Sequence, residues 1–542
     1  CIEFEQCVAH LEAFFAEKTF QILLLHGHIP WMMRVGRRFF DLGLTGVVHA
    51  IAPRPRVCGN GRSVTLVVVG LYAGGKGGYC LVLISSGGAC VMTSAYFSAE
   101  VTESCLDHID RFDGEINAYI AVMADSARQQ ASAVESEIAR GNIQGLLAGM
   151  PVSVKDCIDV AGVPCTNGSQ FFKNHVPNED ASIVAALRAA GAVIVGKTNL
   201  HEFAFGSTTQ NPHFGPTRNP WNTDHIPSGS SGGAGAAVAA RMCVGAVGSD
   251  TGGSVRTPAA LNGVTGLRPS LGSIPMSGSK TQICPAIDTV GPLGLSVDIV
   301  ARLFAVMAFY DDSDVNSVCH TWDNYLARLG DGVADLTLGL PEAYFFDDLG
   351  PGVGEAVEAG ARVLEKAGAK LKPVRLEGAE TAQAEVMPMV WADAYQYHRD
   401  RVEGEPERFG QDVRDRLRLG RDVSGRDYAE ALRHKARWNR TVDRVFSEVD
   451  IILTPTSPVT APSLIDSQNM LATTHHLTRF TFPFSWACLP GLSVPCGLSS
   501  EGLPIGLLLN GRPFEEGVLF RAGYAYQSET DWHRKTPPLL TR

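Results

Sequence analysis

The sequence has no Cys-x-x-Cys pair, although its 542 residues include 13 cysteines. That excludes the zinc-ribbon and thioredoxin-type sites built from such pairs. Scattered, reduced and mostly buried thiols in a cytoplasmic protein are the expectation. No apolar run reaches the ~18 residues that a membrane helix needs. The nearest stretches, Val64 to Tyr72 and Leu81 to Ile84, are separated by Gly74, Gly75, Lys76 and Gly77. No signal peptide is read at the start, and no membrane partner is expected. Basic excess is missing too: 46 Lys and Arg face 57 Asp and Glu, for a net charge of −11. A DNA-binding domain shows a basic face, so no nucleic-acid partner is expected, although charge alone does not exclude RNA. Disorder is excluded by 45% hydrophobic and only 19% charged residues. The 57 glycines follow no Gly-X-Y repeat, which excludes collagen.

The first 91 residues differ in texture. They hold Cys1, Cys7, Cys58, Cys80 and Cys90 and carry eight basic against five acidic residues. They begin with Cys rather than Met and show neither helical nor alternating periodicity. The expectation is a dispensable extension at 1–91, either lineage-specific or translated from upstream of a start at Met92. Residues 92–542 then form the working domain. In that part, Val101 to Phe112 and Asp125 to Arg140 read as helices, the second stopped by Gly141. Pro151 to Lys155 reads as a strand with Val152 and Val154 on one face and Ser153 and Lys155 on the other. Ala181 to Ala190 reads as a helix with Asp180 as N-cap and Gly191 as stop, followed by a buried strand at Ala192 to Val195. Gly232 to Arg241 reads as helix, Cys243 to Val247 as strand, and Ala379 to Val449 as mostly helical. Ile451 to Pro455 and Leu492 to Pro495 read as late strands rejoining the sheet. Strands alternating with helices argue for an α/β fold.

Three motif matches fail on context. Gly191 to Thr198 fits the phosphate-loop pattern, but its middle residues, Ala192 to Val195, read as a strand and not as a phosphate-cradling loop. Gly229-Ser230-Ser231-Gly232-Gly233 fits a nucleophile elbow, yet Pro227 is unsuited to the strand such an elbow needs. His201-Glu202 opens a zinc motif that Phe205 breaks, so His201 reads as a structural or surface residue and no metal or cofactor is expected.

Three pieces keep a chemical logic. Lys155 closes an apolar strand; it either reaches solvent with its tip or is buried for a task. Pro227 to Gly235 would read alone as a flexible linker, but it lies between ordered elements. Gly248 to Arg256 follows a strand and runs into Thr257 and Pro258, which suit an N-cap and a first helical position. The turn at Thr251-Gly252-Gly253-Ser254 therefore lies near a helix N-terminus, where clustered amides favour negative charge. An oxyanion hole beside a nucleophile has those needs.

These segments resemble the amidase signature family. The resemblance runs through Gly149 to Asp156, Gly196 to Phe203, Phe214 to Trp221, Ser228 to Gly235, Gly248 to Pro258, Gly263 to Pro269, Asp450 to Thr456 and Pro490 to Gly497, and covers roughly Ser98 to Pro538. It implies an α/β amidase signature fold, with a large mixed β-sheet core covered by helices on both faces. It implies a Ser–cis-Ser–Lys triad: Ser254 the nucleophile, Ser230 the bridging serine after a cis peptide at Gly229, Lys155 the base. Thr251, Gly252 and Gly253 would supply the oxyanion hole. Ser231, Asp250 and Arg256 would support it, the last two as an ion pair fixing the loop, and Thr208, Thr209 and Gln210 resemble residues that approach the substrate. The activity implied is hydrolysis of a small-molecule carboxamide by a free-standing amidase, with a homodimer the family-level expectation. The alternatives are the glutaminase subunit of a tRNA-dependent amidotransferase and an inactive scaffold. The glutaminase carries a Ser-Asn-Leu-Ala-Arg-Tyr-Asp-Gly-like stretch, for which Asp393 to His398 stands here, and the tail Thr530 to Pro538 resembles free-standing amidases.

Overall fold

The computed structural model describes Phe97 and residues 99–542, apart from 143–144 and 282, together with strand backbone at 50–51, 56–57, 63–73, 76–85 and 90–96. The chain divides into two compact units. The first comprises Cys1–Ser104, Arg128–Met150 and Gly191–Val193. It contains a five-stranded antiparallel sheet, ordered Ala50–Ile51, Ser63–Ala73, Lys76–Ser85, Cys90–Tyr96, with Arg56–Val57 also paired to Ser63–Ala73. The absence of a regular period before Met92 thus did not exclude strands there. The runs Val64 to Tyr72 and Leu81 to Ile84 pair as a hairpin whose register ends at Ala73 opposite Lys76. Apolar, β-branched runs separated by two glycines carry a hairpin signal without alternating. The expectation of an extension at 1–91 falls partly on residues 1–49, which lie outside the described strands.

The second unit holds an eleven-stranded mixed sheet, of whose residues only Val193 belongs to the first unit. Its strands are β1 (Tyr119–Val122), β2 (Pro151–Lys155), β3 (Val193–Thr198), β4 (Gly245–Asp250), β5 (Thr265–Arg268), β6 (Thr289–Gly294), β7 (Thr337–Pro341), β8 (Lys370–Val374), β9 (Ile451–Pro455), β10 (Gly491–Leu498) and β11 (Pro504–Asn510). The order is β8-β7-β9-β11-β10-β5-β6-β4-β2-β3-β1. Every residue of β2, β3, β4, β5, β6, β9 and β11 is buried. Burial along consecutive residues means that both faces of the sheet are covered, the condition in which strands read as continuous apolar runs. Ser153, expected opposite Val152 and Val154, is therefore buried as well, and its hydroxyl pairs with Tyr119 Oη at 2.6 Å.

The expected helices appear at Ala99–Ile116, Ala124–Ala139 and Ser182–Ala189. Asp180 does not cap the last of these. Its carboxylate takes the Ala161 amide and the Arg188 guanidinium instead, and Ala181 occupies the cap without a side-chain bond. Four further helices are α1 (Gly232–Ala239), α2 (Arg256–Asn262), α3 (Ala379–Gly404) and α4 (Gln411–Leu419). Thr257 is likewise inside α2, whose N-cap is Val255; its hydroxyl bonds Gly253 O at 3.0 Å. Three more follow: α5 (Gly425–Phe446), opened by a capping box between Ser424 and Asp427, α6 (Met470–Leu477) and α7 (Phe482–Trp486). Among the described residues, no helix is long and apolar enough to cross a membrane, and six of the eight described free cysteines are buried.

Leu509 of β11 lies opposite Leu453 of β9 and Leu492 of β10, and all three are fully buried. Truncating a Leu in such a row leaves a cavity that the sheet cannot collapse around. Leu509→Ala should therefore lower unfolding stability by about 2–5 kcal/mol, read from urea denaturation.

Candidate active site

Strands β2 and β4 run parallel, with Val152 opposite Gly245 and Val154 opposite Val247. Their carboxyl ends, Lys155 and Asp250, therefore emerge at one edge, where open α/β sheets place their ligands. Lys155 is fully buried. Its Nζ is hydrogen bonded to Ser230 Oγ at 2.7 Å and to Ser249 Oγ at 2.8 Å. Burial pushes its pKa down to about 8, partly opposed by Cys157, Asp250 and Asp288. Lys197, the neighbouring buried lysine on β3, has the opposite fate. Its Nζ lies 2.8 Å from the buried Asp156 carboxylate, which outweighs the cost of burial and holds the ammonium charged. Two lysines in the same dry sheet thus differ because one has an anion and the other has two hydroxyls.

The Gly229–Ser230 peptide is cis. The turn before it is pinned from two sides: Thr209 Oγ1 donates to Ser228 O at 2.7 Å, and Ser228 Oγ donates to Thr257 Oγ1 at 3.0 Å. After it, Ser231 Oγ donates to Ser249 O at 3.1 Å, and the Ser231 amide donates to Ser254 O at 3.2 Å. The serine turn, the lysine strand and the Ser254 turn are thereby laced together. The small side chains of α1, all buried, let its backbone pack closely behind them.

The Thr251–Ser254 turn hangs on Asp250. Arg256 grips this carboxylate through Nε at 3.0 Å and Nη2 at 2.9 Å, and Arg268 Nη1 adds a contact at 3.3 Å. Burial alone would raise the Asp250 pKa, but the two guanidinium groups and the Val255 amide hold it well below the usual carboxylate range. The expected ion pair is present. The amides of Val255 and Arg256 are taken by Asp250 Oδ2 at 3.1 and 3.4 Å. Those of Thr251, Gly252, Gly253 and Ser254 have no acceptor among the described residues. Glycine is required here: a Cβ on Gly252 would lie 2.3 Å from the Phe482 ring, and Gly253 sits at φ +148° with Thr481 Oγ1 2.3 Å from its Cβ position. Thr251 Oγ1 donates to Asp288 Oδ1 at 2.6 Å.

Other expected residues lie apart from this cluster. Gln210 donates its side-chain amide to Ser467 O and Oγ, and Thr208 Oγ1 faces His201 Nδ1 at 3.3 Å. His201 is buried and structural, with its Nε2 2.9 Å from Asp412 on α4. The geometry adds Ser249, Arg268, Asp288 and Thr481. Ser249 had no signal of its own, since which residue of β4 reaches Lys155 depends on how the two strands pair. Thr481 had none, being distant in sequence and set among aromatics.

A buried amine on two hydroxyls, beside a glycine turn with free amides, can activate a serine and receive an oxyanion. An amide-cleaving α/β enzyme is the class to which this fold and site correspond. The chain belongs to the amidase family, the amidase signature enzymes, matched over residues 100–520. It is 36% identical over 470 residues to a glutamyl-tRNA(Gln) amidotransferase subunit of Carboxydothermus hydrogenoformans, covering 82% of this chain and 96% of that one. The solved glutamyl-tRNA(Gln) amidotransferase subunit of Thermotoga maritima is similar at 34% identity and a TM-score of 0.67, covering 78% of this chain and 90% of that one. A peptide amidase in complex with chymostatin is similar at 28% identity and a TM-score of 0.71, covering 81% and 96%.

Asp250→Asn should leave two buried guanidinium groups without their anion. We expect a loss of about 3–5 kcal/mol in unfolding free energy by guanidinium denaturation.

Proposed function

We propose that this amide hydrolase works through an acyl-enzyme on Ser254, with Ser230 as proton bridge and Lys155 as base. The observation that carries the reading is Lys155: fully buried, bonded to Ser230 and Ser249, and depressed to about 8 while Lys197 is paired. Neutral Lys155 takes the Ser230 proton as Ser230 takes that of Ser254. The Ser254 oxygen attacks the amide carbonyl carbon, and the amides of Thr251, Gly252, Gly253 and Ser254 receive the negative oxygen. Collapse breaks the C–N bond, and the departing nitrogen regains the proton along the same relay. Water, deprotonated by that relay, then releases the carboxylate and restores Ser254.

Two settings fit this chemistry. One is a free-standing amidase on a small carboxamide, which the peptide amidase neighbour supports. The other is a glutaminase that works within a multi-protein complex. The relatives named as glutamyl-tRNA(Gln) amidotransferase subunits support this second setting more strongly, with 36% identity along 96% of one relative. Both settings share a primary carboxamide releasing ammonia. Ammonia release from glutamine and from simple amides, by the purified chain with and without added partner proteins, separates them. Turnover of simple amides without any partner favours the first, and glutamine turnover that appears only with added partner proteins favours the second.

An alkyl fluorophosphonate should phosphonylate Ser254, identified by peptide mass spectrometry, and Ser254→Ala should abolish the adduct. Lys155→Ala should slow labelling about 10²–10⁴-fold, the range of a lost general base. An adduct elsewhere overturns the assignment. Labelling should also rise with pH through about 8 in the wild type. Below that pH Lys155 is an ammonium and cannot accept a proton; above it the amine is free. A rate flat from pH 6 to 9 would remove Lys155 from the base role.

A further inference from the structure

We propose that Thr481 is a positioning residue that aims the oxyanion turn; the inference rests on Ser254 acting as the nucleophile. The trans peptide between Gly252 and Gly253 is planar, so the Gly252 carbonyl and the Gly253 N–H point in opposite directions as one rigid unit. Glycines on both sides leave that unit unusually free to rotate, because neither carries a Cβ to restrict it. Something outside the turn must hold it.

Thr481 does so. Its Oγ1 donates to Gly252 O at 2.6 Å, and its other acceptor, Thr478 O, is more distant at 3.2 Å. With the carbonyl held on the Thr481 side, the Gly253 N–H faces the other way, where no described residue accepts from it. The bond also draws electron density from the carbonyl, which makes the N–H of the same peptide a better donor. Thr481 stands at the N-cap of α7, where a threonine ordinarily accepts from its own helix. Here it makes no such cap bond. Its hydroxyl serves the turn instead of the helix. Thr481 is fully buried, and its own carbonyl accepts from Arg256 Nη1 at 3.0 Å, so the post is fixed to the ion pair beneath the turn.

The test compares Thr481→Val, which keeps the shape and removes the donor, with Thr481→Ser, which keeps the donor. The reactions are fluorophosphonate labelling of Ser254 and hydrolysis of p-nitrophenyl acetate. Loss of aim at one oxyanion donor should lower the labelling rate and kcat by about 10–100-fold in the Val variant, within the range seen for removed donors. KM should stay within about twofold and the Ser variant within about threefold of wild type, as expected for an effect confined to the transition state. Wild-type labelling by a folded Val variant overturns the inference, and so does a Ser variant as slow as Val, which would assign the effect to the methyl group. Should the Val variant not fold, Thr481→Cys, similar in size but a weak donor, replaces it under the same criteria. Absence of any Ser254 adduct in the wild type would overturn the nucleophile assignment instead, before Thr481 is reached.

Discussion

The Asp250 carboxylate, fully buried between Arg256 and Arg268, is the interaction on which the site depends. It lies at the end of β4 and accepts from the first two amides beyond the Thr251–Ser254 turn, so it closes that turn from both ends. Each arginine then extends the reach of the pair. Arg256 holds Thr481 O and Ser485 Oγ, and Arg268 holds Ile287 O, one residue before the Asp288 that takes the Thr251 hydroxyl. One carboxylate thereby fixes four chain segments at once. Such an arrangement is costly to desolvate and holds only because nearly every charge has a directed partner.

Against that fixed charge, the sheet treats its lysines unequally. Asp156 follows Lys155 directly in sequence, yet its carboxylate goes to Lys197 on the neighbouring strand. Successive residues point to opposite sides of an extended chain, so the anion nearest in sequence is not the anion nearest in space. The amine of Lys155 is left hydrogen bonded to hydroxyls, with no carboxylate in direct contact to offset the burial that depresses its basicity.

Much of this was legible in the sequence, for physical reasons that differ from place to place. The glycine and serine turns could be read because each needs residue types that few other local structures tolerate. The strand at Pro151 to Lys155 could be read from its alternation, although its polar residues are buried too, and Ile451 to Pro455 from its apolar run. Two caps were misplaced, at Asp180 and Thr257, because a short polar side chain suits an N-cap equally well when its oxygen is engaged elsewhere. Arg188 claims the first and Gly253 the second. Thr481 was invisible because nothing local marks a hydroxyl whose partner lies 229 positions away. The N-terminal hairpin was missed because its strands do not alternate.

The strand order has a consequence for how the chain comes into being. β10 and β11 are the last strands to be synthesised, yet they lie in the middle of the sheet, joining β5 on one side to β9 on the other. The first six strands are neighbours of one another in the sheet and are synthesised before the rest, although domains generally fold as units. The half containing β7, β8 and β9 has no neighbour in that first half until residues 491–510 arrive. Joining the two halves into one sheet therefore requires residues 491–510. A nascent chain that already contains Lys155, Ser230 and Ser254 still lacks the two strands that unite its sheet.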